Sequence, residues 1–297
     1  MIGTILENNW LNVSMMTKKP TVSVLMTAFN REKLIGAAIE SVLASTYTNF
    51  ELIIVDDAST DKTLSIARGY AAKDERIKLH SNSRNIGDYP NRNKAASLAQ
   101  AKYLKYVDSD DYIYPDGLKV MVESMERFPS AGFGLCSLEP DRLRPFPFML
   151  SAKEAYEYHF FSNGLFRKGP LEGIFLKSAF DKMNGFKRGR MISDTDMWYR
   201  MGMEYPVVLM QNGLVWQRVH QVQELADAND YIVVREKIKW KYLLKEDCPL
   251  ENQQIKQIRN QRLVRYARFI LSGIRHFNFE QATTYMKCLW FTLSIKI

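Results

Sequence analysis

Three cysteines in 297 residues, Cys136, Cys248 and Cys288, form an odd set with no CxxC spacing. That scarcity excludes a disulfide framework and a structural zinc site, and it fits a reducing cytoplasm. Long hydrophobic runs are missing too. Uncharged apolar stretches such as Cys288 to Ile295 are far short of the ~18–20 residues a bilayer span needs. The first twenty residues include polar Glu7, Asn8 and Asn9, which argues against a secretory signal; a loose leader is expected there, with Met15 or Met16 as the alternative start. No GxGxxG follows the first apolar run and no GxxxxGK[ST] occurs, so neither a Rossmann dehydrogenase nor a P-loop site is expected. What remains is an ordinary globular composition, 46% hydrophobic and 25% charged, at a length that suits one large or two small domains.

The charge is confined to one end. Residues 231–297 hold 13 basic and 5 acidic side chains, a surplus equal to the +8 of the whole chain. There Arg259, Arg262, Arg265 and Arg268 recur every third residue among Ile258, Leu263, Val264, Phe269 and Ile270, as on a basic amphipathic helix. The pattern predicts a basic helical C-terminal extension that faces something anionic. An inner-leaflet headgroup layer is one reading, since each basic residue near such a surface is worth roughly 1 kcal/mol. The other is a solvated helix packing its apolar stripe on the preceding domain. Nucleic acid is not expected, because no recognised nucleic-acid motif accompanies the charge.

From Thr21 onward, short β-branched runs alternate with helical stretches. Val22–Thr27, Phe50–Val55, Ile77–His80, Tyr103–Val107 and Gly132–Ser137 read as strands, and Glu32–Ala44, Thr63–Ala72, Asn91–Ala99 and Asp116–Phe128 read as helices. This alternation predicts an α/β fold with a doubly wound, mostly parallel sheet flanked by helices, its ligand site at the carboxyl ends of the strands. The stretch 139–169 is Pro-rich and aromatic without clear alternation and reads as an acceptor-facing segment. Beyond it come a strand at Gly173–Leu176, helices near Ser178–Met183 and Thr195–Glu204, and strands at Val207–Met210 and Leu214–Arg218.

Carboxylates sit where phosphate-binding glycines are absent. The second strand ends in Asp56-Asp57-Ala58-Ser59-Thr60-Asp61 and the fourth in Asp108-Ser109-Asp110-Asp111. Acids gathered after apolar strands repel one another, and a divalent cation or a hydrogen-bonding ligand is the usual compensation. Helix capping accounts for one of Ser59 and Asp61. It does not account for Asp56, Asp57, Asp108 and Asp110 together.

Taken in order, TVSVLMTAFNR, FELIIVDDASTD and YLKYVDSDDYIYPDGL resemble the nucleotide-sugar-binding half of a family-2 inverting glycosyltransferase of the GT-A fold, over most of residues 21–220. The resemblance implies a donor half at 21–137, an acceptor half at 138–230 and the extension at 231–297. It implies that Thr27 and Asp57 hold the nucleotide base and ribose, and that Arg92 contacts the base or diphosphate. Asp108-Ser109-Asp110 matches the DxD element, whose second acid binds Mn²⁺ or Mg²⁺ while the preceding residues meet the nucleotide sugar. A hard cation held by one or two carboxylates suits a diphosphate leaving group, and its donor set does not distinguish the two metals.

Downstream, Ser193-Asp194-Thr195-Asp196 is similar to the family's acidic element at a helix start, which makes Asp194 the expected base. Inverting transfer needs one carboxylate to take the acceptor hydroxyl's proton as it attacks C1, unlike the pair of a hydrolase. Relatives often carry Glu where this chain has Ser193. An N-cap at Ser193 or Asp194 is the structural alternative. Arg167-Lys168-Gly169-Pro170-Leu171-Glu172-Gly173 resembles the loop beside donor sugar and acceptor, and Glu172 is its only acid. Trp216-Gln217-Arg218-Val219-His220 looks like the late Arg-x-His element, in which His220 would ligate the metal or touch the diphosphate.

The expected function is transfer of a sugar from a nucleotide diphosphate sugar, UDP-linked by resemblance, to a glycan or lipid-linked glycan hydroxyl in surface polysaccharide biosynthesis. The expected location is cytoplasmic or peripheral on the inner membrane face. A sugar-phosphate nucleotidyltransferase would need GxGxR where Ala28-Phe29-Asn30-Arg31 stands. A non-catalytic nucleotide-sugar or glycan-binding module of the same fold is the alternative from another class, and Ser193 is its support.

Overall fold

The computed structural model describes residues 19–141, 143–187, 189, 192–219 and 228–297. The expected leader therefore lies, apart from its last two residues, outside the described residues. The chain opens with β1 (Val22–Ala28), α1 (Ile35–Leu43), β2 (Phe50–Asp56), α2 (Thr63–Ala71), β3 (Ile77–Ser81), α3 (Asp88–Leu98), β4 (Tyr103–Tyr106), β5 (Tyr112–Ile113) and α4 (Gly117–Arg127). It continues with β6 (Phe133–Leu138), β7 (Phe148–Leu150), α5 (Ala152–Tyr158), β8 (Gly173–Leu176), α6 (Lys177–Lys182), α7 (Ser193–Glu204), β9 (Val207–Gln211) and β10 (Val215–Trp216). The C-terminal helices are α8 (Ala228–Leu243), α9 (Asn252–Arg275) and α10 (Phe279–Leu293).

One eight-stranded sheet runs in the order β3-β2-β1-β4-β8-β6-β9-β7 through both expected halves. β3, β2, β1 and β4 are mutually parallel, and β6 is parallel to β9. β8 runs antiparallel to β4 and β6, and β7 antiparallel to β9. The inner parallel strands β1, β2 and β4 are buried along their length, β2 without an exposed residue, because helices cover both faces, whereas β3 at the sheet edge is partly exposed. One apolar layer joins Leu25, Ile53 and Leu104 to Phe175, Trp198 and Trp240; the other joins Val24, Ile54 and Val107 to Ile39 of α1 and Met121 of α4.

Several boundaries differ from those the sequence predicts. Helix α3 begins at Asp88, not Asn91: Gly87 takes φ 91° to turn the chain, and Pro90 falls in the first turn, where its missing N–H is tolerated. Helix α1 begins at Ile35 because residues 30–32 bond to the β2–α2 loop instead. The Pro-rich stretch 139–169 is more regular than its sequence suggests. It contains β7, and α5 opens with a capping box in which Ser151 and Glu154 bond reciprocally. The strand expected at Leu214–Arg218 is only Val215–Trp216, paired with β5 in a separate ribbon.

Helix α7 is fixed by aromatic stacking. The Trp198 indole lies 5.1 Å from the Phe175 ring and 5.8 Å from Phe133, near-parallel to both. Gly173 lets it approach: a Cβ there would fall 2.5 Å from the indole. The indole N–H donates to the Lys168 carbonyl at 2.6 Å, which ties the loop before β8 to the same helix. We predict that Trp198→Ala lowers unfolding stability by roughly 3–5 kcal/mol, read as a shift of the urea midpoint, with Asp194 displaced along with the helix that carries it.

Candidate active site

The β1–α1 and β2–α2 loops meet at the carboxyl ends of their strands and interlock. Asn30 N–H donates to Ser59 Oγ (3.0 Å), Thr60 N–H to Asn30 Oδ1 (2.9 Å), Arg31 N–H to Thr63 Oγ1 (2.7 Å) and Glu32 N–H to Asp61 Oδ2 (3.1 Å). Asp61 also takes Thr63 N–H at the head of α2 (2.9 Å), so it is the capping acid. Asn30 and Ala58 hold left-handed φ values of 52° and 60°, a conformation non-glycine residues adopt at a cost and that tends to gather at functional sites. Thr27 lies half-buried at the end of β1, opposite Val55.

Asp57 is 3% exposed and already well supplied with donors. It accepts Asn82 Nδ2 at 2.6 Å, Ile86 N–H at 3.0 Å and Gly87 N–H at 2.9 Å. Its carboxylate has about four acceptor positions, so most are engaged in holding the β3–α3 loop.

Arg92, from α3, is the buried cation of the site at 8% exposure. Its Nε donates to Asp88 Oδ1 (2.8 Å) and its Nη1 lies 2.6 Å from Asp108 Oδ1. Burial alone would push the guanidinium down, but Asp108 and Asp88 more than offset that and hold it well above its ordinary value.

The acidic loop after β4 is met from two other directions. Arg31 Nε reaches Asp110 Oδ2 at 3.2 Å. Arg218 donates its N–H to Asp111 Oδ1 (2.8 Å) and its Nε to the Asp110 carbonyl (3.1 Å). Its guanidinium also lies over the rings of Tyr112 and Trp216, the β5–β10 pair. Burial, then the neighbouring Asp108 charge, pushes the Asp111 carboxyl up to about 7. Ser109 is buried in this loop. His220, two residues past Arg218, lies outside the described residues. Among the described residues no three His, Cys, Asp or Glu side chains gather as a cation cage.

The loop before β8 is held from below. Lys105, fully buried on β4, donates to the Leu171 carbonyl and, at 3.3 Å, to that of Gly173; burial pushes its ammonium down to about 8. Glu172 takes Gly169 N–H at 2.7 Å, lies 4.0 Å from Lys168 Nζ, and is raised by burial.

On α7 the two acids part company. Asp196 is saturated by Arg200 Nε (2.7 Å) and Tyr242 Oη (2.6 Å). Asp194 accepts Thr195 N–H at 2.7 Å, and burial raises its carboxyl while Arg235 and Arg92 draw it back. No side chain caps α7 at its cap residue, Ile192, and Ser193 Oγ instead donates to the carbonyls of Lys187 and, at 2.6 Å, Gly189. Asp194 lines a cavity of about 350 Å³ shared with Arg167 and with α8 and α9.

The chain is similar to known proteins along this whole region. The model of glycosyl transferase family 2 matches residues 23–170. EpsE of Bacillus subtilis (strain 168), named a glycosyltransferase, is 33% identical over 62% of this chain and 68% of its own length. This chain belongs to glycosyl transferase family 2. TuaG of the same organism, named for teichuronic acid biosynthesis, is 37% identical over 47% of this chain and 56% of its own. Among solved structures, S. aureus TarS residues 1–349 in complex with UDP-GlcNAc superposes with a TM-score of 0.61 at 19% identity, covering 80% of this chain and 70% of that one. The mannosyltransferase PcManGT of Pyrobaculum calidifontis, in complex with GDP-Man and Mn²⁺, gives 0.62 at 16% identity, covering 95% and 89%. The GT-A fold expected from the sequence is the fold observed, and the family's activity is sugar transfer, which sets aside the non-catalytic reading.

The partners Arg31, Lys105 and Asn82 were outside the sequence expectations; Arg31 and Lys105 lie within the quoted motifs, but nothing in their spacing points to their contacts. The Asp57 geometry generates a prediction. Asp57→Ala strands the Ile86 and Gly87 amides, costs about 1–3 kcal/mol, and accelerates their hydrogen exchange ahead of the β2 amides. Unchanged exchange at both amides would contradict the anchoring role.

Proposed function

We propose that this glycosyltransferase is a metal-dependent inverting enzyme that moves a sugar from a nucleotide diphosphate donor, UDP-linked in preference, to a glycan or lipid-linked glycan hydroxyl in surface polysaccharide assembly. The observation that carries the reading is the position of Asp194. It feels the charge of Arg92, which pairs with Asp108 of the DxD element, and it also borders the cavity lined by α8 and α9. A base in an inverting transfer has to stand between the two substrates in this way.

In this reading Thr27, Asp57 and Arg92 bound the nucleotide, with Asp57 using its remaining acceptor capacity on the base, and Asp108 and Ser109 face the donor. Asp110, with His220, would hold Mn²⁺ or Mg²⁺, which would neutralise charge on the departing diphosphate. The donor set fits: these hard cations keep several waters and bind through one or two carboxylates plus substrate phosphate, so three protein ligands are not required. Arg31 at Asp110 and Arg218 beside it add fixed positive charge at the same place. Asp194 takes the acceptor proton as the hydroxyl attacks C1, and Glu172 contacts a sugar hydroxyl. The ligands of TarS and PcManGT, a UDP-sugar and a GDP-sugar with Mn²⁺, support a nucleotide-sugar donor, and the name of TuaG supports a surface polymer.

The extension supports a peripheral membrane location. No helix among the described residues is long and apolar enough to cross a membrane. The α9–α10 hairpin nevertheless exposes Leu271 (67%), Phe277 (81%), Phe279 (62%) and Trp290 (75%), a surface suited to the headgroup boundary.

Asp194→Asn is expected to lower kcat by about 10²–10⁴-fold while calorimetry shows unchanged, Mn²⁺-dependent nucleotide binding. Because burial raises this carboxyl and the base acts deprotonated, the rate falls as pH drops through a value above that of ordinary aspartate, and the variant loses that limb. Loss of nucleotide binding in the variant, or a wild-type rate flat down to pH 4, would contradict the assignment. For the extension, the full chain is expected to co-sediment with vesicles containing anionic phospholipid, and Phe277→Ala with Trp290→Ala to release it; equal sedimentation of both proteins would remove the membrane reading.

A further inference from the structure

The arginines of the extension do not share one face. Arg259 donates Nε to the Thr292 carbonyl (3.2 Å) and Nη2 to that of Leu293 (3.1 Å), which pins α10 against α9. Arg262, half-buried, and Arg265, exposed, line the cavity that Asp194 also lines.

Among the described residues, that cavity's lining holds more cations than carboxylates. Arg167, Arg235, Lys239, Arg262 and Arg265 line it, against the carboxylates of Asp194 and Glu236. Glu236 is already engaged, by Lys239 and by the Trp240 indole N–H at 2.7 Å. Among the described residues no carboxylate lies within ion-pair distance of Arg167, Arg262 or Arg265. The repulsion is visible in the neighbours. Burial, with Arg262 and Arg167 opposing the pull of Glu236, pushes Lys239 down to about 8, and burial with Arg262 and Arg265 lowers Arg167. His159 on the floor is neutral: its Nδ1 accepts Phe166 N–H at 2.8 Å, which leaves the ring proton on Nε2, 3.0 Å from Tyr199 Oη.

A second cavity, of about 460 Å³, shares Arg167, Arg262 and Arg265 and is also lined by exposed Ser162 and Gln261. The same guanidinium groups thus line both cavities. Converging guanidinium groups with spare donors match the paired oxygens of a phosphate or carboxylate. The first cavity alone falls in the size range of small-molecule sites, roughly 300–1,000 Å³.

We propose that this cavity is the acceptor subsite and that the acceptor is anionic, its phosphate or carboxylate held by Arg167, Arg262 and Arg265 while the hydroxyl to be glycosylated faces Asp194. The assignment rests on Asp194 as the base of the proposed transfer, and it adds the chemical class of the acceptor. A neutral glycan would leave the guanidinium cluster uncompensated.

The test uses the full chain with UDP and Mn²⁺, and three probes followed by saturation-transfer NMR: glycerol 3-phosphate, glucuronate and neutral glucose. At least one anionic probe is expected to bind saturably, tenfold or more tighter than glucose and less tightly as salt rises. Arg262→Gln combined with Arg265→Gln should weaken it at least tenfold and leave the UDP titration unchanged. Preference for glycerol 3-phosphate supports a phosphoryl-bearing acceptor, and preference for glucuronate a uronic acid. Arg265→Gln alone, at an exposed side chain, gives the same reading if the double variant does not fold. Equal binding of glucose, or anion affinity unchanged in the variants, overturns the subsite while intact UDP binding leaves the donor assignment standing. Wild-type protein that binds no UDP with or without Mn²⁺ overturns the donor assignment, and the acceptor reading falls with it.

Discussion

The structure is organised by the electrostatic problem of the loop after β4. Asp108, Asp110 and Asp111 follow one another at the end of a buried strand, and carboxylates so placed raise one another's cost of ionisation. Three arginines answer it, each from a different segment: Arg92 from α3, Arg31 from the β1–α1 loop and Arg218 from the segment after β10. Each contact therefore also sets the position of a chain segment. Burial, and after it the Asp108 charge, still raises the Asp111 carboxyl.

The sequence made the acids legible because their position is a local property: each cluster follows an apolar run by one or two residues, and parallel strands put those ends on one edge of the sheet. The strands of the first half were readable for the same reason, since burial on both faces leaves unbroken β-branched runs. Their partners were not. Arg31 meets Asp110 across 79 residues and Arg218 meets Asp111 across 107, and no periodicity carries a pairing of that range. The two-residue strand β5 was missed, and β10 was drawn too long, because each is too short for a pattern and exists only through the other. The strand and helix inside 139–169 were hidden by the prolines that run up to them, Pro140, Pro145 and Pro147.

The extension shows how far a composition argument reaches. Its basic surplus was plain, and so was the alternation of arginine with apolar residues along α9. The structure divides that single stripe by function. Ile255 and Ile258 are buried in the core beside Trp240, which fulfils the packing alternative for the N-terminal half of the helix. Arg259 caps a neighbouring helix, and Arg262 with Arg265 closes over the cavity beside Asp194. Beyond them the helix carries apolar residues outward. A repeat of three drifts around a helix of 3.6 residues per turn, so successive arginines cannot all keep one partner.

The same geometry explains why one acid of the Ser193–Asp196 element is free to act. Residues two apart on a helix point roughly 200° from one another, so Asp194 and Asp196 face different neighbours although their sequence setting is nearly the same. Asp196 turns toward Arg200 and the Tyr242 hydroxyl of α8, which consume its oxygens and dock the extension on α7. Asp194 turns toward the cavity and within the field of Arg92, with one backbone N–H on its Oδ1. The structural acid thus fixes the helix that carries Asp194, the base of the proposed transfer. Ser193 bonds to the carbonyls of Lys187 and Gly189 and secures the turn ahead of the helix. Orientation that a neighbouring acid would supply through charge is here supplied by packing: Trp198 between Phe175 and Phe133 on one side, and α8 on the other.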